Sequence, residues 1–267
     1  MKVELKWITP DAQTMIVYIA RVSNPKSQEQ GANSERLIEY LIRHRHWSPF
    51  QMASACYSVE TTRDISRQII RHRSQKIEED EPFCIQEFSQ RYADPTALGF
   101  VFREARLQDQ KNRQASIDIE DRILQEEWQE WQRMVIEAAT SAYRWAVSKG
   151  IAKECARAPL PEGMTPSRIF MAATIRDWIH YCNVRTDDDT QKEHRLIAKA
   201  IWADLTERMP AIAIAGEVLR QREGKQSTPG GGSGGVPKIF ASGAGGGSGA
   251  DWSMKGRTSG GVAETEG

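Results

Sequence analysis

An α+β layered fold is predicted by three features of this 267-residue chain. Long segments with apolar residues at helical spacing are interrupted by a few short alternating ones. The alternating segments are scattered rather than joined as regular strand–helix units, which argues against a parallel doubly wound sheet. The length is enough for one substantial core or two small domains.

The elements follow in order. Residues 1–7 alternate weakly and suit an edge strand. Residues 12–22 and 34–45 have helical spacing, and Ser34 with Leu37, Ile38 and Leu41 suits a capped amphipathic helix. Residues 51–61 suit a strand, with Ala53, Ala55, Tyr57 and Val59 on one face. Residues 62–73 suit a helix that buries Ile65 and Ile69, and residues 83–92 suit an extended segment. Residues 117–149 form a long charged segment containing Trp128, Trp131, Ile136, Tyr143 and Trp145. It is predicted helical, with Gly150 as its stop. A strand is expected over 167–174, then helices over 175–184 and 191–208.

Composition narrows the function. Thirty-six basic residues balance thirty-six acidic ones, so nothing suggests bulk affinity for nucleic acid or membranes. No apolar run approaches spanning length, and the start MKVELKWITP lacks a secretory hydrophobic region. Cys56, Cys84, Cys155 and Cys182 are too dispersed for a zinc pattern or a disulfide scaffold. A cytoplasmic protein, or a virus-encoded one active in host cytoplasm, is expected. His44 and His46 lack further ligands at useful spacing, and Asp187–Asp189 suits a solvated turn, so no metal is expected. Fifteen of the twenty glycines lie from Gly224 onward. Residues 223–267 are therefore expected to be a flexible tail rather than a phosphate-cradling loop, leaving residues 1–222 as the folded domain.

The chemistry is concentrated in two neighbouring segments. The first is Arg67-Gln68-Ile69-Ile70-Arg71-His72-Arg73, in which Gln68 and Arg71 share a helical stripe. The second is Gln86-Glu87-Phe88-Ser89-Gln90-Arg91-Tyr92. If extended, it lines up Ile85, Glu87, Ser89 and Arg91 on one face and Phe88, Gln90 and Tyr92 on the other. Forked arginines with an acceptor and a hydroxyl suit capture of phosphate or of a carbonyl edge. By spacing alone, a solvated Arg/Glu surface fits equally well. Later, Arg176, His180 and Asn183 form a polar stripe, with Ile175, Trp178, Ile179 and Cys182 as apolar contacts. A histidine so placed is more often a structural hydrogen-bonder than a catalyst.

RHR followed by Ser-x-Arg-Tyr resembles the motif of the flavin-dependent thymidylate synthases, in which RHR, seven residues and Ser follow one another. Other segments match in order: Ala20-Arg21-Val22-Ser23, Leu37-Ile38-Glu39-Tyr40-Leu41, His46-Trp47-Ser48-Pro49-Phe50, and Glu154 to Pro161. Ile175 to His180, Asn183-Val184-Arg185 and Gln191-Lys192-Glu193 complete the series. The resemblance covers roughly residues 1–220. Two departures stand out. Fifteen residues separate Arg73 from Ser89, so Gln75 to Pro82 is an eight-residue insertion, with its acids Glu78 to Glu81 expected in solvent. Cys84 replaces a small hydroxyl residue, and a small buried or half-buried side chain is preferred there over a reactive thiol.

The resemblance implies a central, mostly antiparallel sheet packed with long helices. It implies a homotetramer that methylates dUMP at C5, with methylenetetrahydrofolate as carbon donor and FAD reduced by NADPH. Arg185 takes the activating position. Nucleotide contacts fall on Gln68, Arg71, Glu87, Ser89, Gln90, Arg91, Arg157 and Arg185. Flavin contacts fall on His46, Ser48, Arg71, His72, Arg73, Glu87, Thr174, Arg176 and His180, so in this context His180 becomes a flavin contact. Two alternatives stay open: the same fold producing a modified nucleotide such as 5-hydroxymethyl-dUMP, or a non-catalytic flavin- or nucleotide-binding module.

Overall fold

The computed structural model describes residues 1–29, 34–73 and 83–219. The expectations for the insertion Gln75–Pro82 and for the tail from residue 223 lie outside these residues. In chain order the elements are β1 (Lys2–Ile8), α1 (Ala12–Ala20), α2 (Pro25–Glu29), α3 (Ser34–Arg43), β2 (Ser54–Thr62), α4 (Arg63–Ile70) and β3 (Cys84–Glu87). Then come β4 (Arg106–Gln108), β5 (Ser116–Asp118), α5 (Arg122–Ser148), α6 (Lys153–Ala156), β6 (Pro166–Thr174), α7 (Ile175–Arg185) and α8 (Lys192–Arg208).

Four strands form one sheet in the order β1-β2-β6-β3, and every pairing is antiparallel. The alternation in β2 is the reason for its central place. Ala53, Ala55, Tyr57 and Val59 are all buried, beside Ile169 and Met171 from β6 and Ile85 from β3. Helices α1, α3, α4, α7 and α8 contribute to the same core. Cys84 points the other way and is exposed, against the expectation of burial, because it alternates with the core-facing Ile85. Among the described residues, no helix is long and apolar enough to cross a membrane.

Two strands pass into helices without an intervening loop. Thr62 ends β2 and is the N-cap of α4; Thr174 ends β6 and is the N-cap of α7. At Thr174 a full capping box forms: the hydroxyl accepts from Asp177 N–H at 3.3 Å, and the Asp177 carboxylate accepts from Thr174 N–H at 3.2 Å. Trp178 fixes α7 to the sheet by donating its indole N–H to Ala55 O at 3.1 Å.

The predicted long helix is shorter at its start, since residues 116–118 pair with β4 and Asp121 caps α5. Its inner face is unusual. Gln125 and Gln132, seven residues apart, each donate to and accept from one backbone unit, at Ala105 and Arg103 respectively, at 2.7–2.9 Å. Two amides thus stand in for a neighbouring strand and dock α5 with little apolar contact. Gly150 terminates it with φ 77°. Ile151 N–H bonds to Ala146 O and Gly150 N–H to Val147 O, both at 3.0 Å, the pattern of a Schellman ending.

Among the described residues, nothing covers the outward face of α5. Leu124, Trp128, Trp131, Val135, Ala138, Ala142 and Trp145 are all exposed and follow alternating steps of four and three, the spacing of a coiled-coil seam.

The same helix ending recurs after α3 with a different residue. His46 N–H bonds to Leu41 O at 2.8 Å and Arg45 N–H to Ile42 O at 3.2 Å. Arg45, with φ 58°, occupies the left-handed position that glycine fills most easily. A side chain there costs about 1–2 kcal/mol. A cation near a helix C-terminus recovers about 0.3–1 kcal/mol, so the position carries net strain. Asp11 is the other described non-glycine residue with positive φ, and aspartate adopts that conformation more readily.

Candidate active site

Chemistry-bearing side chains gather where the end of α4 meets α7 and α8. After Ile70 the chain tightens into a 3-10 turn, Arg71–Arg73, that tucks His72 inward to 3% exposure. The Arg185 Nε–H donates to His72 Nε2 at 2.8 Å. Because guanidinium is a donor only, His72 must present a bare Nε2 and be neutral. Burial, followed by the charges of Arg185 and Arg71, pushes His72 down to about 4. Its ring lies 5.0 Å from Tyr181 and 6.2 Å from His194. His194 is itself pushed down to about 3 by burial, and it sits 3.0 Å from the Tyr181 hydroxyl.

Arg185 is therefore aimed by an uncharged acceptor. Among the described residues it has no carboxylate partner, and its two terminal nitrogens carry no hydrogen bond. A half-buried cation in this state is preorganised for an anionic or carbonyl ligand. The two neutral rings also set an acid limit. Below about pH 6.5 the unfolded chain takes up protons that the folded chain refuses until near pH 4 and 3. Stability is therefore expected to fall as pH drops from about 6.5 toward 4, by about 3 kcal/mol per histidine at most. Thermal melts across that range check it: His194→Gln should flatten the dependence, and an unchanged slope would contradict the assignment.

Gln68 lies on the same side. Its Nε2 donates to Gln191 Oε1 at 2.6 Å, and Gln191 Nε2 donates to Glu193 Oε2 at 2.9 Å. Glu193 Oε1 in turn meets Arg106 at 2.7 Å and Arg103 at 3.0 Å, and Arg103 reaches Asp64 at 2.8 Å. This buttress behind Gln68 is not evident from the sequence. Gln191 and Glu193 belong to one of the matching segments, while Arg103 and Arg106 sit in a stretch without periodicity. Arg71 is exposed nearby; the side chain of Arg73 lies outside the described residues.

The extended reading of residues 83–92 needs correction. β3 ends at Glu87, and the chain then turns, with Tyr92 N–H and Ala93 N–H both bonding to Ser89 O at 3.2 Å. Glu87, Ser89 and Arg91 therefore do not share one face. Gln90 is the buried residue of the turn, while Arg91 is exposed and pairs with Glu154 at 3.3 Å. Arg157 Nε–H donates to Glu154 O at 3.3 Å. None of these contacts reaches the Arg185 group.

Glu87 is occupied internally. Its Oε1 accepts from Ser66 at 2.6 Å and from Ser167 at 3.0 Å, and faces the buried Arg63 at 3.7 Å. Removing that carboxylate would strand a buried cation, a cost of about 3–5 kcal/mol. Loss of function at Glu87 would thus reflect the joint between α4 and β6 at least as much as ligand contact.

The remaining predicted residues meet elsewhere. His46, Ser48 and Arg176 line one open cleft of about 670 Å³, together with Arg45, Trp47 and Pro49. His180 stacks edge-on against Trp47, with centroids 4.9 Å apart. Thr174 does not need a ligand to explain it, since its hydroxyl is engaged in the capping box. A larger cleft of about 730 Å³ opens between the β4–β5 hairpin and α8. Its cations are already neutralised: Arg106 by Glu193, Lys192 by Glu104 and Asp118, Arg195 by Asp188. The smaller cleft has no carboxylate in its lining.

Residues 4–211 match the family model of the thymidylate synthase complementing protein, Thy1. The chain belongs to that family. A Thy1 relative from Paramecium bursaria Chlorella virus 1, named a probable flavin-dependent thymidylate synthase, is 43% identical over 204 residues. The match covers 76% of this chain and 90% of the relative. The flavin-dependent thymidylate synthase of Synechocystis sp. (PCC 6803) is 42% identical over 201 residues, covering 75% and 87%. The fold is similar to that of a UMP/dUMP methylase, PolB from Streptomyces cacaoi, solved with 5-Br dUMP. The TM-score is 0.67 and the identity 24%, with 82% of this chain and 94% of that chain covered.

Proposed function

We propose that this Thy1 protein catalyses the FAD-dependent reductive methylation of dUMP to dTMP, using methylenetetrahydrofolate and NADPH. The observation that carries this reading is Arg185, held through a neutral His72 with its charge uncompensated by any described residue. Methylation at C5 requires the uracil ring to become nucleophilic there, which places negative charge on its carbonyl edge. A permanently charged guanidinium stabilises that charge without becoming an acid. Gln68, braced by Gln191, and Arg71 offer a polar amide and a second cation on the same side. Ser89, Gln90, Arg91 and Arg157 lie apart from this group within one chain, as expected if a neighbouring copy completes each site.

His46, Ser48 and Arg176 suit the flavin, since their cleft joins a cation and a hydroxyl with an apolar wall, and His180 packs behind it against Trp47. When bound, FAD supplies the hydride chemistry, and the protein's part is orientation and electrostatics. The homotetramer follows the same reading, and the exposed seam on α5 supports it.

The test is the absorption spectrum of purified protein with NADPH, with and without dUMP, followed by product mass after adding methylenetetrahydrofolate. A flavin spectrum bleached by NADPH and a methyl gain on dUMP are expected. A hydroxymethyl product would replace the assigned reaction. A colourless protein that binds no FAD and oxidises no NADPH would leave only a non-catalytic module.

A further inference from the structure

We infer that Gln191 and Glu193 are positioning residues that hold the Gln68 amide one way round, so that Gln68 offers its carbonyl oxygen to the nucleotide and receives a hydrogen-bond donor from it. The inference rests on the dUMP reading above. It adds the polarity of one contact and the two residues that set it.

The polarity follows from a relay that begins at a group able to act in one way only. Glu193 Oε1 meets Arg106 at 2.7 Å and Arg103 at 3.0 Å. Burial opposes the charge of Glu193, but its own backbone N–H, Arg103, Gln191 and Arg106 together hold the carboxyl below the usual carboxylate range. At neutral pH it is ionised and only accepts. The end of Gln191 that lies 2.9 Å from Glu193 Oε2 must therefore be its NH2 group, which turns its oxygen toward Gln68. The end of Gln68 that lies 2.6 Å from that oxygen must in turn be NH2. Reversing Gln68 would set two carbonyl oxygens against each other, and reversing Gln191 would set its oxygen against a carboxylate.

The other end of the half-buried Gln68, its Oε1, has no hydrogen-bond partner among the described residues. That fixed acceptor selects the ligand group. In dUMP at neutral pH the phosphate oxygens and both uracil carbonyls accept. Only the imide N–H of the base and the 3′-hydroxyl of the sugar donate, so Gln68 receives one of these two.

The test is calorimetric binding of dUMP and two analogues to the FAD-loaded protein. 3-Methyl-dUMP blocks the imide N–H, and the 3′-deoxy analogue of dUMP lacks the sugar hydroxyl. One of the two is expected to bind the unchanged protein about tenfold more weakly than dUMP, the loss of one well-placed hydrogen bond, and which one it is names the donor. In Gln68→Met the gap between that analogue and dUMP should close to about twofold. Gln191→Met keeps Gln68 but frees its amide to turn, so the gap should shrink to about threefold while FAD affinity holds. A role confined to joining α4 and α8 would leave the gap as it was. An unaltered gap in Gln68→Met overturns the contact, and an unaltered gap in Gln191→Met overturns the positioning role. The inference also falls if neither analogue binds more weakly than dUMP, or if Gln68→Met weakens all three ligands equally, which would put the Gln68 N–H on the phosphate. Should Gln191→Met fail to fold, Gln68→Met still decides the contact. If the unchanged protein binds no dUMP at all, the dUMP reading fails instead, and the two failures are distinct.

Discussion

Arg185→Lys is expected to lower turnover by about 100-fold or more while FAD affinity stays within twofold. Lysine keeps the positive charge but loses the planar fork and the Nε–H that His72 accepts at 2.8 Å. The ammonium then has no fixed direction, and its charge is no longer held against the developing negative charge of the uracil ring. The loss should appear in kcat as well as in kcat/KM for dUMP, because the missing interaction is made chiefly in the transition state. Oxidation of NADPH in the absence of dUMP should be little affected. Equal losses in FAD binding and turnover would place Arg185 at the flavin and undo the assigned role.

Trp131→Glu is expected to break the proposed homotetramer and abolish activity, with the protomer still folded. Trp131 is 63% exposed and Trp145 60% exposed within the chain, so neither contributes much to the protomer's own core. In an assembly that buries the α5 seam, losing one tryptophan costs about 2 kcal/mol or more, and a buried unpaired carboxylate adds several. Together these shift dissociation by three orders of magnitude or more. Light scattering should show a smaller species, while the helical circular dichroism stays unchanged. Activity should fall with assembly if each site draws residues from two copies. An intact, active tetramer from this variant would remove α5 from the subunit contacts.

How legible the molecule is in its sequence depends on whether a residue's task is local. Strand β2 and helix α7 could be read because alternation and helical spacing follow directly from which face is buried, as Ala53 to Val59 and Trp178 show. The end of β3 could not be read. Ser89 to Tyr92 keep the alternating pattern of a strand, but the backbone turns at Ser89, and only hydrogen bonding reveals it. The brace behind Gln68 joins residues up to 123 positions apart, which no local period records. Gln125 and Gln132 dock α5 through backbone groups at Ala105 and Arg103, partners that no helical period marks. Arg45 gave no sign either, because a left-handed backbone is visible in a sequence only when glycine occupies it. The family motif carried most of the candidate site, and tertiary geometry redistributed it.

Helix α7 carries a consequence of its own. Arg176 and Arg185 stand nine residues apart on one unbroken helix, so their Cα atoms are separated along its axis by about 14 Å. The helix starts without a loop from a central strand and is pinned by Trp178. Under the proposed assignments it would act as a gauge between the flavin grip and the nucleotide grip. That interval is set within one helix, because both marks are on the same bar. Inserting a single residue between Arg176 and Arg185 would alter the interval by about 1.5 Å and turn one grip by about 100° relative to the other.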